Sequence, residues 1–308
     1  MKPVKDIQLK ENITVNELMN EYFESGGFTA KKLGVAANIM KDMQNDKECY
    51  KFLSFPACIV STGTRGVLRD FVKKKKFNSL VTTCGTLDHD LARLWQDYYH
   101  GSFEADDAKL REEGINRLGN VFVPNSSYGE ILEEKLMPIL QKIYDSGARE
   151  LAPYELVWEI GKHLENEKNK EQSIIYWCYK NKTPMFIPGI TDGSVGFQLI
   201  MFMQDHGDFK INVFKDEDKL QDIVFNHKIT GALMVGGGIS KHHVIWWNQF
   251  KDGLDYAVGL TTAVEHDGSL SGARVKEAVS WGKVKPGAKY VTVEGDATVL
   301  LPLLAVSF

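Results

Sequence analysis

The period of the apolar positions changes once along the chain. Between residues 13 and 46 it is helical: Leu18, Met19 and Tyr22 follow a candidate cap at Thr14 or Asn16, GGFTAKK interrupts the run, and Leu33, Ala36, Ala37, Met40 and Met43 then recur three and four residues apart. After it, short apolar runs that end in small or acidic residues alternate with helical stretches. KFLSFPACIVS (51–61) predicts a strand leading into the helix GVLRDFVKKKK, and NSLVTTCG (78–85) predicts a strand leading into DHDLARLWQDYY. TPMFIPGI (183–190), ITGALMVGG (229–237), DYAVGLTTA (255–263) and KYVTVEGD (289–296) add further strands. Strands separated by helices do not pair as hairpins, so the expected fold class is α/β, a parallel sheet of about six or more strands with helices on both faces. The expected organisation is a helical N-terminal extension, residues 1–48, packed on one main domain, 49–308. GSFEADDAKLREE (101–113) and KHLENEKNKEQ (162–172) carry no strand period and read as surface excursions. The lysine run at 73–76 reads as a solvated helix end, where cations complement the negative pole.

With 308 residues and 43% hydrophobic content the chain has ample material for a core. Its net charge of −4 lacks the basic excess that phosphate neutralisation demands, which argues against a nucleic-acid partner. Cys49, Cys58, Cys84 and Cys178 are far apart, without a CxxC pair or a nearby histidine cluster. No metal site is expected from them; buried thiols in a reducing compartment are. MKPVKDIQLKEN lacks the apolar centre of a leader, and no stretch reaches ~18 uninterrupted apolar residues, so the expectation is a cytoplasmic protein without membrane contact.

In an open parallel sheet, ligands gather at the carboxyl ends of the strands. There, or shortly beyond, stand Ser61-Thr62-Gly63, Thr83-Cys84-Gly85, Asp192-Gly193-Ser194, Gly236-Gly237-Gly238, Asp267-Gly268-Ser269 and Gly295-Asp296. Glycines let a backbone approach a phosphate, helix N-termini present N–H donors and carboxylates accept from ribose hydroxyls, so the repetition suggests a dinucleotide. Each turn taken alone is more simply ordinary loop chemistry, and Gly236-Gly237-Gly238-Ile239-Ser240-Lys241 departs from GxGxxG because Lys241 fills the third glycine's place. Lys241-His242-His243 opens a helix that continues as Val244, Ile245, Trp246 and Trp247. A histidine there caps or packs as readily as it transfers a proton, and the tryptophan pair reads as core or subunit interface rather than cofactor contact. Asp88-His89-Asp90 sits in a first helical turn, where acids suit the dipole without a catalytic role. Lys283 stands one glycine past Trp281. Lysine is rarely buried, so the plain reading is a surface residue; against an aromatic face and away from water, an amine loses part of the solvation that keeps it protonated and can attack carbonyl or imine carbon.

GGGISKHH (236–243), DYAV (255–258), EHDGSLSGAR (265–274), EAVSWGK (277–283) and GDATVLLPLL (295–304) together resemble deoxyhypusine synthases. GGFTAKKL (26–33), STGTRGVLRDFV (61–72), TTCGTLDHDLAR (82–93), GINRLGNVFVPN (114–125) and PGITDGS (188–194) extend the likeness over nearly the whole chain, in the style of the archaeal branch. The resemblance implies a Rossmann-like NAD-binding catalytic domain, assembled as a homotetramer of paired subunits with sites at their interfaces. It implies NAD-dependent transfer of the aminobutyl group of spermidine to a lysine of the hypusine-containing translation factor precursor. In that reaction the secondary amine is oxidised to an imine, diaminopropane leaves, and the fragment rides as an imine on an enzyme lysine before transfer and reduction. By motif position Lys283 is that lysine and His242 the active-site histidine; Trp281, Glu277 and His89 fall on amine-pocket positions. Ser61, Thr83, Asp192, Gly236, Gly237, Thr262, Asp267, Ser271 and Asp296 fall on NAD contacts.

Some positions depart from the pattern of eukaryotic members. Phe197 and Leu270 stand where acids hold the polyamine, His89 where an acid is usual and Cys58 where an asparagine is. Phe197 and Leu270 thereby remove two charge-assisted contacts, each worth roughly 1.5–3 kcal/mol. Spermidine is then held differently, or another amine is used; Asp88, Asp90, Glu265 and His266 are candidates for replacement contacts. The nearest alternative keeps NAD and Lys283 but transfers to a small amine such as putrescine, as a homospermidine synthase does. A non-catalytic NAD- or polyamine-binding homologue is the other.

Overall fold

The computed structural model describes residues 1–308. The strands are β1 (Cys49–Ser54), β2 (Ser79–Val81), β3 (Tyr99–His100), β4 (Ile115–Leu118), β5 (Val121–Pro124), β6 (Glu150–Leu151), β7 (Met185–Phe186), β8 (Lys210–Ile211), β9 (Ile229–Val235), β10 (Leu254–Thr261) and β11 (Val284–Glu294). The helices are α1 (Val15–Ser25), α2 (Phe28–Asn45), α3 (Arg65–Lys73), α4 (Gly85–Trp95), α5 (Asp107–Glu112), α6 (Gly129–Asp145), α7 (Pro153–His163), α8 (Ile174–Asn181), α9 (Ser194–Asp205), α10 (Phe214–Asn226), α11 (Ile239–Gln249), α12 (Glu277–Ser280) and α13 (Ala297–Val306). Contacts divide the chain into two units, one of Met1–Phe55, Lys76–Val81 and Leu220–Phe308, the other of Pro56–Lys75 and Thr82–Lys219.

In the first unit β11, β10, β9, β1 and β2 lie side by side in that order, all parallel. Leu233 of β9 is in register with Leu53 of β1 on one side and Val258 of β10 on the other. Every residue of β9 after Ile229 is buried, the continuous run that a parallel strand covered on both faces requires. One cover is α2, whose predicted stripe of Leu33, Ala36, Ala37, Met40 and Met43 is buried throughout. Burying a leucine or methionine contributes roughly 1.5–3 kcal/mol. The half-exposed ion pairs Lys32–Glu294 (2.6 Å) and Lys289–Asp42 (2.8 Å), which also join α2 to β11, contribute about 0–1 kcal/mol each. Packing therefore decides where α2 sits. Its neighbour α1 starts from a capping box of Thr14 and Glu17 and ends at Gly26, in the left-handed region at φ +69°. The two helices approach so closely that a Cβ on Gly34 would stand 2.6 Å from the Phe23 backbone nitrogen.

The second unit holds β7, a three-stranded antiparallel sheet β3-β5-β4 and the parallel pair β6–β8. The predicted excursion at 101–113 lies largely at the surface; it contains the short helix α5 and is flanked by the strands of the small antiparallel sheet, β3 before it and β4 and β5 after it. The predicted strand 51–61 stops at Ser54: Pro56 has no N–H for a ladder, and Ala57–Ser61 coils into a 3-10 turn instead. The helix read as starting near Asp88 starts at Gly85, which moves Asp88 and Asp90 into its buried body. Asp90 accepts from Arg65 Nε at 2.7 Å, Ser173 Oγ at 2.7 Å and the Ile175 N–H at 3.0 Å. Asp88 accepts the N–H groups of Ser194 (2.9 Å) and Val195 (2.8 Å) in the first turn of α9 and the Tyr128 hydroxyl (2.6 Å). Both carboxylates thus have internal partners, which corrects their reading as replacement contacts for an amine. Cys49, Cys84 and Cys178 are buried as expected; Cys58 is exposed.

Candidate active site

The carboxyl ends of β9, β10 and β11 carry the first unit's candidate chemistry. β9 ends in Gly236-Gly237-Gly238, where Gly236 (φ +69°) and Gly238 (φ +77°) take left-handed conformations and turn the chain into α11. Gly236 N–H donates to Leu260 O at 2.7 Å, and Gly295 N–H to Thr261 O at 2.9 Å, so the three strand ends stay in step. A Cβ on Gly237 would lie 2.1 Å from Ser271 Cα, so glycine alone allows the loop after β10 to close on this turn. That loop is held further by Thr261 Oγ1 donating to Ser271 O (3.0 Å), and by the buried ammonium of Lys241, which donates to Leu270 O (2.9 Å) and Ala273 O (2.5 Å). Burial pushes Lys241 down to about 8, against the pull of Glu277.

Of the remaining expected dinucleotide contacts, Thr262, Asp267 and Asp296 are exposed at these strand ends. Asp267 accepts the Ser269 N–H at 2.7 Å, and Ser269 side-chain and backbone donors hold its carboxyl below the usual range. Asp296 caps α13, accepting from Thr298 N–H and Oγ1 at 2.8 Å each. Ser61, Thr83, Asp192 and His89 lie in the second unit. There Ser61 Oγ donates to Cys58 O (2.7 Å), Thr83 Oγ1 accepts the Ala57 N–H (3.3 Å), and Asp192 is exposed beside a Gly193 that abuts Cys84 and Asp88. His89 pairs through Nδ1 with the Tyr98 hydroxyl at 2.9 Å; burial, then the Arg93 charge, lowers it to about 4, so it is neutral near pH 7.

Lys283 is buried, 8% exposed, immediately before β11. Two features put it there. The Gly282 backbone turns through φ +69° after Trp281, and Gly253 (φ +100°) comes so close that a Cβ on it would stand 2.9 Å from the Lys283 carbonyl carbon. The Lys283 backbone is pinned by its N–H to Ala278 O (2.9 Å) and by its carbonyl, which accepts from Leu254 N–H (3.1 Å). Its Nζ lies 5.2 Å from the Trp281 ring centroid and 5.8 Å from that of Trp246. His242, half-buried in the first turn of α11, stacks on Trp246 at 5.8 Å and 25°. Burial, then the charges of Lys283 and His243, lower its pKa, which favours a neutral imidazole able to accept a proton.

A cleft of about 400 Å³ gathers these groups, with Lys241, His242, Trp246, Leu270, Arg274, Glu277, Trp281 and Lys283 on its wall. The four predicted amine-site residues of this unit, Lys283, His242, Trp281 and Glu277, are thus brought together. Trp246 is the addition: it is 40% exposed and lines the cleft, so the core reading does not hold. Its spacing of four residues from His242 is the signal that placed both on one helix face. A larger neighbouring cleft of about 570 Å³ shares Arg274 and Glu277, but its side chains are largely paired with one another, Lys32 with Glu294 at 2.6 Å and Arg274 with Glu265 at 3.3 Å. Glu265, a candidate amine contact, is engaged in that pairing. The residues expected to bind and carry the amine line the smaller cleft.

Comparison with known proteins bears on the family. The family model for deoxyhypusine synthase matches residues 17–308. A protein of Picrophilus torridus named as a probable deoxyhypusine synthase is 57% identical over 307 residues, covering 100% of this chain and 97% of its own. One of Thermoplasma acidophilum with the same name is 54% identical, with the same coverage. Among solved structures, an Entamoeba histolytica protein named as a putative deoxyhypusine synthase superposes with a TM-score of 0.64 over 96% of this chain and 93% of its own, at 20% identity, which speaks for the fold alone. The chain belongs to the deoxyhypusine synthase family.

Proposed function

We propose that this chain is an NAD-dependent transferase that moves the aminobutyl group of spermidine to a lysine of the hypusine-containing translation factor precursor, with Lys283 as the carrier. The observation that carries the reading is the seat of Lys283, buried between two indoles in one cleft with His242 and Glu277. A lysine kept only for solubility has no use for that place.

The strand ends fit NAD. The glycine turn leaves open space at Gly238 where a Cβ would stand, and exposed carboxylates at Asp267 and Asp296 are available to hydroxyl donors. Gly236, Gly237, Thr262, Asp267, Ser271 and Asp296 would hold it; by motif position Ser61, Thr83 and Asp192 are proposed contacts as well. When bound, NAD would supply the hydride acceptor for oxidation of the amine donor and the hydride for the final reduction. The amine of Lys283 adds to the imine carbon of the oxidised donor, the bond from that carbon to the diaminopropane nitrogen breaks, and the fragment stays on Lys283 as an imine. His242, as a neutral base, takes the proton released by the attacking amine and gives it to the departing one. The acceptor lysine displaces Lys283 by the same exchange. Glu277 supplies the counter-charge to the donor's ammonium, and Trp281 an aromatic face.

The same reading makes the protein a cytoplasmic homotetramer. Exposed Ile239 and Phe250 on α11 support a face that a neighbour covers, and no helix is long and apolar enough to cross a membrane. Purified protein given NAD and spermidine is expected to release diaminopropane and, with the precursor added, to transfer the aminobutyl group to it. Binding of both small molecules without any release contradicts the proposal.

A further inference from the structure

We infer that Trp246 recognises the alkylammonium substrate, as the second wall of an aromatic slot whose first wall is Trp281. The inference rests on the function proposed above. Both ring centroids lie within the ~6 Å at which an indole face attracts a cation, 5.2 Å for Trp281 and 5.8 Å for Trp246, measured from Lys283 Nζ. An amine bonded to that nitrogen, or waiting beside it, therefore meets two faces supplied by separate elements. The Trp246 ring is held by its neighbours rather than by burial: His242 stacks on it at 5.8 Å, and Phe250 meets it edge-on at 5.4 Å and 87°. A packing tryptophan would be covered; this one is 40% exposed and open to the cleft.

The charge inventory of the cleft gives the second wall a purpose. Glu277 is the one carboxylate on its lining. Leu270 contributes an apolar side chain, and its carbonyl oxygen already accepts the Lys241 ammonium at 2.9 Å. A polyamine carries more than one positive charge, and one carboxylate cannot balance it. Two indole faces supply attraction for a cation without a compensating anion, and a slot between flat rings selects a slim aliphatic ammonium over a branched or aromatic amine.

The test is calorimetric titration of spermidine into NAD-loaded wild type, Trp246→Phe and Trp246→Leu, with thermal melts confirming that all are folded. Phenylalanine keeps an aromatic face, whereas leucine keeps bulk and apolarity without one. Trp246→Phe is expected to bind within about twofold of wild type, and Trp246→Leu about three- to tenfold more weakly, roughly 0.7–1.4 kcal/mol. Equal losses in both variants, as a merely structural role would give, or no loss in Trp246→Leu, would overturn the slot. Diaminopropane release by the wild type reports separately on the parent reading. A wild type that binds spermidine and releases nothing removes the transferase, while the slot still stands on the contrast between the variants. A wild type that does not bind spermidine removes the slot as well.

Discussion

At the scale of single residues, the lysine and its companions were the most legible part of the chain, because SWGK and GGGISKHH are short motifs in which sequence neighbours are also neighbours in space. Trp246 was not legible, since helical spacing says which face a residue shares but not whether that face meets a core or a cleft. Asp88 and Asp90 were misread for a related reason: their partners Ser194 and Ser173 are 106 and 83 residues away in sequence. His242 has its pKa lowered first by burial. A base held below its ordinary value stays neutral as pH falls past 6.5, the ordinary histidine value, so turnover is expected to persist there and to fall only at lower pH, as His242 becomes protonated. His242→Ala is expected to lower kcat by about 10²–10⁴ with spermidine affinity changed only severalfold, measured by steady-state rates and titration. A variant that keeps full kcat would remove His242 from the proton transfer.

At the scale of elements, apolar runs located the strands, and their ends went astray where a local rule overrode the run, as at Pro56. The antiparallel hairpin β4–β5 escaped because its strands are short and half-exposed and INRL is no apolar run; its signal was Gly119-Asn120 just before VFVP, with Gly119 at φ +61°. Helix α7 shows a cost invisible in any pattern. Asp216 accepts the Tyr154 N–H at 3.1 Å in the first turn of α7, yet is 3% exposed, and its Oδ2 has no partner. Burial outweighs its donors and raises its pKa to about 7. Because the folded state holds this proton more tightly than the unfolded chain, the group's contribution is full below about pH 3.8 and lost as pH rises through about 7, at most about 4 kcal/mol. Denaturant melts of wild type and Asp216→Asn from pH 4 to pH 8 are therefore expected to show the variant gaining on the wild type as pH rises, whatever their offset. A constant difference across that range would mean that Asp216 ionises normally.

At the scale of the whole molecule, alternating strands and helices announced an α/β protein, but not the order β11-β10-β9-β1-β2 of the first unit, which is fixed by crossovers that leave no local mark. The family match over residues 17–308 accords with the resemblance read from motifs. The proposed homotetramer is checked by light scattering, where a mass of four chains is expected and a monomer carrying full activity would exclude sites built at subunit interfaces. The central claim, that Lys283 carries the transferred fragment, is tested most directly by borohydride trapping during turnover with NAD and spermidine, followed by peptide mass spectrometry. An aminobutyl adduct on Lys283 alone, absent in Lys283→Arg, is expected, because a guanidinium stays protonated and forms no imine. An adduct on Lys241, or turnover that leaves no adduct on Lys283, would contradict it.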